Sequence, residues 1–196
     1  MSLPLILASS SPYRKQLLER LHLNFHCLSP EIDETPLANE TANNLVSRLA
    51  YQKATAVKNT LSDNAIIIAS DQVALLEDTI LGKPHTVENA INQLLSFSGK
   101  KVTFLTSLCI LNSDTEQQEN TIEVYQVYFR NLTRKEIEHY IKLESPLDCA
   151  GSFKCEGLGV TLFHKMEGDD PTSLVGLPLI ALSRLLRRQK VNPLEP

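Results

Sequence analysis

A polar triad interrupts the most apolar stretch of the chain, and this feature constrains the fold more than any other. Between Asn64 and Lys83, two short runs at 66–69 and 73–76 are composed of Ile, Ala, Val and Leu. Short, partly β-branched apolar runs are typical of a strand that is covered on both faces. The Ser-Asp-Gln triad at 70–72 therefore lies within a predicted buried strand. A carboxylate is costly there unless it is hydrogen-bonded or paired with a cation or a metal.

Asp71, at the centre of this triad, has two interpretations. It is either a structural carboxylate neutralised by a neighbour, or a functional one that acts as an acid or base or binds a metal. The sequence Gly82-Lys83-Pro84 follows closely and predicts a tight turn that directs Lys83 back towards the same region. Perturbed carboxylates concentrate at functional sites, so the functional interpretation is favoured.

The composition narrows the class of protein. The 196 residues fit one domain, taken as 1–196, and 42% hydrophobic residues suffice for a substantial core. A net charge of −4 argues against a nucleic-acid partner, although a single nucleotide needs only a local basic pocket. No segment has the apolar length of a membrane span or a signal peptide. The four cysteines lack paired spacing, which favours reduced thiols, so we predict a cytoplasmic protein.

A serine-rich turn separates a predicted strand at 3–8 from a predicted helix at 13–21. A serine at the N-cap and a proline in the first turn favour a helix that begins here. The free N–H groups of a helix N-terminus, the hydroxyls of Ser9 and Ser10 and the charge of Arg14 together suit a phosphate chain. A capped helix without a ligand is the alternative, and the G-x-x-x-x-G-K-[ST] phosphate loop is absent.

A buried lysine is predicted on the helix from Thr41 to Lys58. Apolar residues recur there at spacings of three and four, and Lys53 shares their face. Its ammonium either reaches water past a buried stem or points into a polar pocket. Glu34, in a polar loop before this helix, is either solvated or a metal ligand.

The remaining segments predict further helices and strands. Helices are predicted at 86–97, 133–143 and 178–188, an antiparallel hairpin at 101–111 and 121–130 around a polar turn at 112–120, and short strands at 25–28 and 160–163. Three glycines between 150 and 159 imply unusual dihedrals or close ligand approach, and Lys154 and Glu156 lie among them. An acidic turn is predicted at 167–171.

Cations dominate the candidate residues. The candidate phosphate-binding residues are Ser9, Ser10, Arg14, Lys53, Lys83 and Lys154, and the candidate carboxylates are Asp71 and Glu34. Many cations with few carboxylates are typical of phosphoryl transfer, where positioning and charge neutralisation carry most of the catalysis. A divalent metal would bridge phosphate oxygens, and a carboxylate would hold it or deprotonate water.

Seven short segments carry a resemblance to a known family. They are LILASSSPYRKQLL (5–18), DET (33–35), RLAYQKA (48–54), SDQ (70–72), GKP (82–84), AGSFKCEGLG (150–159) and LVGLPL (174–179). In this order and spacing, the chain resembles the Maf family of nucleoside triphosphate pyrophosphatases over nearly its whole length. The resemblance implies a mixed α/β fold with a long curved sheet, flanking helices and a cleft between two lobes.

The resemblance also implies a reaction. Family members hydrolyse the bond between the α and β phosphates with a divalent cation, for which Mg²⁺ or Mn²⁺ is expected. The family's proton acceptor falls on Asp71, and its phosphate-handling residues fall on Ser9, Arg14, Glu34, Lys53 and Lys83. Asp71 and Glu34 are also the candidate metal ligands, and these two could divide the roles of base and metal ligand either way. The family is associated with cell-division arrest and with keeping modified nucleotides out of nucleic acids. Homodimers are common in it, which makes a second copy of the chain a candidate partner.

Three positions point to one branch of that family. Tyr13, Gln72 and Glu156 stand where the pyrimidine-specific branch has arginine, threonine and glutamine, and they look like the branch that acts on 7-methyl-GTP. Methylation at N7 makes guanine cationic, and an aromatic face attracts a cation. A carboxylate accepts hydrogen bonds from the guanine edge and offsets the charge. Two alternatives stay open: a pyrophosphatase for dTTP, UTP or another modified nucleotide, and a nucleotide-binding regulator of cell division.

Overall fold

A computed structural model describes residues 3–195, and in them the chain forms a mixed α/β fold built on one sheet. The helices are α1 (Pro12–Glu19), α2 (Ala42–Lys58), α3 (Val87–Phe97), α4 (Arg134–Glu144) and α5 (Leu179–Arg188). The strands are β1 (Leu5–Ala8), β2 (Phe25–Leu28), β3 (Ile66–Leu76), β4 (Thr79–Leu81), β5 (Lys101–Asn112), β6 (Gln117–Phe129) and β7 (Phe163–Glu167). The predicted fold class is confirmed.

The sheet is mixed, in the order β2-β1-β3-β5-β6-β7, with β4 paired to the end of β3. β1 runs parallel to both β2 and β3, and the remaining pairs are antiparallel. β3, β5 and β6 are much longer than the other strands, so they extend past β1 and β2 and support a second group of helices.

Alternation along β3 decides which side chains face which helix. Ile67 packs with apolar residues of α2, whereas Ile68 packs with those of α1 and α5 on the other face. Successive side chains of a strand point to opposite faces. Asp71 therefore lies on the α2 face, and Ser70 and Gln72 lie on the opposite face.

A phenylalanine cluster forms the core beneath α3 and α4. Phe97, Phe104 and Phe129 are almost completely buried there. The ring centroids of Phe97 and Phe129 are 5.2 Å apart, and those of Phe104 and Phe153 are 5.4 Å apart. Tilted and edge-to-face pairs of this kind stabilise a core beyond the area that they bury. Phe153 belongs to the glycine-rich segment, so this cluster anchors that segment to the sheet.

Three predicted boundaries are wrong near the turns. The strand predicted at 160–163 is mostly a 3-10 helix, Leu158–Leu162, and β7 begins at Phe163. β7 is an exposed edge strand without apolar alternation, so the sequence carries no signal for it. The acidic turn therefore starts after Glu167, and the turn at 112–120 shrinks because β6 begins at Gln117.

No helix within residues 3–195 is long and apolar enough to cross a membrane.

Candidate active site

A cleft of about 470 Å³ gathers the residues that the sequence singles out. Its walls come from the turn between β1 and α1, the middle of β3, the glycine-rich segment and residues 174–176. All the sequence-predicted site residues line it, namely Ser9, Ser10, Tyr13, Arg14, Glu34, Lys53, Asp71, Gln72, Lys83, Lys154 and Glu156. The volume is in the range of small-molecule sites.

Lys53 lies between two carboxylates on the floor of the cleft. Its Nζ is 2.6 Å from Asp71 Oδ1 and 2.8 Å from Glu34 Oε1. Lys53 and Asp71 are each only 5% exposed, whereas Glu34 belongs to an exposed loop. The lysine therefore points into a polar pocket, as one of the two interpretations proposed. α2 brings it to the sheet because Lys53 occupies the same helix face as Leu49 and Val57, which are buried against the strands.

The two carboxylates differ in their affinity for a proton. Burial raises the pKa of Asp71 above its ordinary value, and the charges of Lys53 and Arg14 offset only part of this effect. Burial also raises the pKa of Glu34, but the hydrogen bond from Lys53 and the charges of Lys53, Lys83 and Arg14 outweigh it, so the net shift is downward. The cleft thus shifts the pKa values of the two carboxylates in opposite directions.

The serine turn is shaped by its own hydroxyls. Ser9 Oγ accepts a hydrogen bond from the Ser11 backbone N–H at 3.1 Å, and Ser11 Oγ caps α1 by accepting from the Arg14 N–H at 3.4 Å. Ser9 is buried, and Ser10 is exposed. The predicted cap and first-turn proline are confirmed, and the start of α1 faces the cleft.

Arg14 is held by a backbone carbonyl from a distant part of the chain. Its Nε donates to Gly176 O at 2.9 Å, and the Ser70 hydroxyl donates to the same oxygen at 2.8 Å. One carbonyl thus links α1 to β3. The two terminal nitrogens of the guanidinium make no hydrogen bond to residues 3–195, where only the Nε–H of its five donors is used.

Gln72 lines the cleft and is hydrogen-bonded to the protein through its side-chain amide. Its amide nitrogen donates to Thr106 Oγ1 and Ser173 O, each at 2.8 Å, and more weakly to Leu174 O at 3.3 Å. Gln72 therefore fixes the 173–174 backbone, and it shapes the cleft by positioning that wall.

Lys154 is also hydrogen-bonded within the protein. Its Nζ donates to Glu144 O, at the end of α4, at 2.7 Å. The backbone N–H of Lys154 donates to the Tyr140 hydroxyl at 3.0 Å. These bonds tie the glycine-rich segment to α4. An ammonium has three donors, so two of them are left for another partner.

Tyr13 and Glu156 are neighbours in the lining of the cleft. Burial and the neighbouring Cys149, Glu156 and Asp148 raise the pKa of Tyr13 to about 12, so its ring stays a neutral phenol. Burial and the adjacent Glu156 raise the pKa of Cys155 to about 12, and its thiol donates to Glu156 Oε2 at 3.3 Å. The thiol is therefore protonated and is not a nucleophile at neutral pH.

Asp170 organises the wall that carries Gly176, and sequence reasoning missed it. This carboxylate is 2% exposed and accepts from the Ile180 N–H at 2.7 Å and from the Thr172 hydroxyl at 2.6 Å. The Thr172 hydroxyl in turn accepts from the Leu179 N–H at 2.7 Å. An Asp-Pro-Thr sequence before a leucine-rich helix was the available signal, because acidic and hydroxyl side chains are favoured at helix N-termini.

Replacing Gly176 with alanine is expected to disturb both the backbone and Arg14. Gly176 has φ +108, which a side chain rarely adopts, and an added Cβ would lie 3.3 Å from Arg14 Nε. Strain of this kind costs on the order of 1–3 kcal/mol. Denaturant unfolding measures the cost, and Gly82→Ala is the control, since a Cβ there meets nothing within 4 Å. Equal stabilities of the two variants would contradict the prediction.

Comparison with known proteins identifies the family. The family model described as Maf-like protein matches residues 4–189. The chain belongs to the Maf family. A Maf relative from Idiomarina loihiensis, named 7-methyl-GTP pyrophosphatase, is 53% identical over 195 residues, which cover 99% of this chain and 98% of the relative. A protein of the same name from Aliivibrio fischeri is 52% identical over 190 residues, covering 97% of this chain and 98% of that protein.

Solved structures support the fold of this Maf chain. The Staphylococcus aureus Ham1 protein aligns over 95% of this chain and 99% of its own, with a TM-score of 0.52 and 14% identity. A HAM1 protein from Coxiella burnetii aligns over the same shares with a TM-score of 0.50 and 14% identity. At this identity, the likeness concerns the fold alone.

Proposed function

We propose that this Maf protein hydrolyses 7-methyl-GTP between its α and β phosphates, releasing 7-methyl-GMP and pyrophosphate, and so keeps a modified nucleotide out of nucleic acids. The observation that carries the proposal is the buried Asp71–Lys53 pair in a cleft that Tyr13 and Glu156 also line. The name shared by relatives that are about half identical over nearly the full length supports the same substrate. The free cysteines of the described chain fit a cytoplasmic location.

The groups that line the cleft around the start of α1 are suited to bind a triphosphate. The hydroxyls and free N–H groups at the start of α1 would donate hydrogen bonds to phosphate oxygens, and Arg14 offers the two terminal nitrogens that Gly176 leaves unused. Lys83, in the turn after β4, lines the same cleft. Positioning and neutralisation of charge by such groups supply most of the catalysis in phosphoryl transfer.

Asp71 is the proposed proton acceptor. Hydrolysis needs a water molecule to lose a proton as it attacks phosphorus, and a carboxylate with a raised pKa is a better base than an ordinary one. Lys53 keeps this buried carboxylate ionised by pairing with Oδ1. In the resting protein, Asp71 Oδ2 makes no hydrogen bond to residues 3–195 and is the oxygen available to the attacking water.

The donor set also suits a divalent metal. Among residues 3–195, no group of three His, Cys, Asp or Glu side chains could hold one by itself. Mg²⁺ usually takes one or two carboxylates and completes its shell with water and substrate phosphates. Glu34 would hold the ion through the oxygen that Lys53 leaves free, and Asp71, when it is not the proton acceptor, would be the second ligand. When bound, it would neutralise charge on the phosphates.

Tyr13 and Glu156 support the choice of 7-methyl-GTP as the substrate. A neutral tyrosine ring offers a π face to cationic 7-methylguanine, an interaction worth roughly 0.5–2 kcal/mol. Glu156 is exposed near Tyr13 and would accept hydrogen bonds from the guanine edge. An arginine at position 13 would repel the cationic base.

Turnover of the purified protein against 7-methyl-GTP, GTP, dTTP, UTP and CTP tests the proposal, with pyrophosphate release as the readout. We expect 7-methyl-GTP to have the highest kcat/KM. The double variant Tyr13→Arg/Glu156→Gln is expected to lose about tenfold or more of its preference over UTP, since it removes the π face and one charge-assisted hydrogen bond.

Other results would select other functions. A preference for dTTP or UTP in the wild type, unchanged in the double variant, would assign the chain to the pyrimidine substrates. Binding of nucleotides without turnover would favour a nucleotide-binding regulator of cell division. A homodimer remains a prediction, which sedimentation of the purified chain would check.

A further inference from the structure

A buried hydroxyl without a partner lies beside Asp71. Ser107 on β5 is completely buried, and its Oγ makes no hydrogen bond to any described residue. Such a group destabilises a fold, because the hydroxyl loses water and gains nothing in return. An alanine would fill the same position without that penalty, so the hydroxyl needs another explanation.

The register of the sheet places Ser107 directly opposite Asp71. The two residues form one rung of the antiparallel β3–β5 ladder. Side chains that are opposite on such a ladder share a face, with Cβ atoms about 4.5–5.5 Å apart. Ser107 therefore lies on the α2 face with Asp71, between Leu105 and Cys109, which pack towards α2.

The carboxylate opposite has spare capacity for a hydrogen bond. Lys53 binds Asp71 Oδ1 and draws it towards α2, while Oδ2 is not bonded to residues 3–195. The charged groups nearest to Asp71 are Lys53 from α2, Arg14 from α1 and Glu34 from the loop before α2, and Arg48 of α2 is a weaker neighbour. A phosphate chain entering the cleft would compete with Asp71 for both cations, so the carboxylate would lose part of what holds it in place.

We propose that Ser107 is a positioning residue that donates a hydrogen bond to the Asp71 carboxylate when nucleotide occupies the cleft. This inference rests on the proposed function. In the protein without nucleotide, the Ser107 hydroxyl is unbonded and lies opposite the carboxylate on the same rung of the ladder. Once the phosphates engage Lys53, a small rotation of Asp71 within the rung brings one carboxylate oxygen to Ser107 Oγ. The hydrogen bond then fixes the base against the attacking water.

Ser107→Ala is the test, with Thr55→Val as its matched control. Thr55 Oγ1 is the other buried side-chain atom without a hydrogen bond among residues 3–195, and it is not part of the cleft. Both variants remove an unpaired hydroxyl, so both are expected to keep or raise the melting temperature. Only Ser107→Ala is expected to lower kcat for 7-methyl-GTP, by about tenfold or more, because a hydrogen bond to a charged group is lost. KM is expected to stay within about twofold, since binding of the phosphates does not involve the hydroxyl.

A second variant tests whether the loss of activity is due to the hydroxyl itself. Ser107→Thr retains the hydroxyl and is expected to recover most of kcat when its activity is expressed per folded molecule. Wild-type kcat in Ser107→Ala, or an equal loss in Thr55→Val, would overturn the inference and leave the proposed function standing. Absence of turnover by the wild-type protein on every nucleotide would overturn both.

Discussion

Replacing Asp71 with asparagine is expected to lower turnover by about 10²–10⁴-fold, the range that a positioned general base contributes. Asparagine has the same shape, and its amide oxygen can still accept the hydrogen bond from Lys53 that Asp71 Oδ1 accepts now. It cannot take a proton from water at neutral pH. The loss should therefore appear in kcat while the fold is kept.

The measurement is steady-state pyrophosphate release, with circular dichroism and a melting curve to show that the variant is folded. Asp63→Asn is the control, because Asp63 is an exposed aspartate that does not line the cleft. Activity of Asp71→Asn within threefold of the wild type would exclude Asp71 as the base. In cells, an effect on division that survives in this variant would separate nucleotide binding from catalysis.

Replacing Lys53 with methionine is expected to have the largest effect on stability. Methionine has a similar stem but no charge, so Asp71 would remain buried without its closest cation. Breaking a buried ion pair in this way costs about 3–5 kcal/mol. Urea unfolding at pH 7 measures the difference, and a cost below about 1 kcal/mol would show that Asp71 does not depend on Lys53.

The loss of stability in Lys53→Met should increase as the pH rises. Burial already raises the pKa of Asp71, and removal of Lys53 would raise it further, above the value of about 3.9 in an unfolded chain. A raised pKa means that the folded state holds the proton more tightly. Stability is then lost as pH rises from the unfolded pKa through the folded one. The deficit of Lys53→Met should therefore be smallest below the unfolded pKa and should grow as the pH rises through the raised folded pKa.

The double variant Lys53→Met/Asp71→Asn separates the ion pair from the packing of the lysine stem. With neither charge present, most of the stability lost in Lys53→Met should return, although activity should not. A double variant as unstable as Lys53→Met would assign the loss to packing and not to the stranded carboxylate.

Periodicity in the sequence was sufficient to predict β3, α2 and the burial of both Asp71 and Lys53. Apolar spacing reports directly which face of a helix or strand is covered, and a polar residue on that face must have a partner. The partner of Lys53 could not be identified in this way. Glu34 comes from an exposed loop whose path no periodic pattern specifies.

Residues 170–176, which form one wall of the cleft, show a second limit of prediction from the sequence. Its contacts to Gln72, Ser70 and Arg14 are made by backbone carbonyls, which every residue has and no sequence pattern marks. The sequence therefore singled out Gln72 but not the carbonyl of Ser173 that receives its amide. Residue types predict which side chains need partners, and only the tertiary fold decides which backbone atoms meet that need.

The Gly176 carbonyl joins Ser70 and Arg14, which lie 106 and 162 residues earlier in the chain. Contacts between segments so far apart form late, because closing the intervening loops costs entropy until the rest of the chain is folded. Every other residue that lines the cleft leaves the ribosome before Gly176 does. The growing chain can therefore build its sheet before Arg14 is locked in place, and the cleft is complete only after Gly176 has been synthesised.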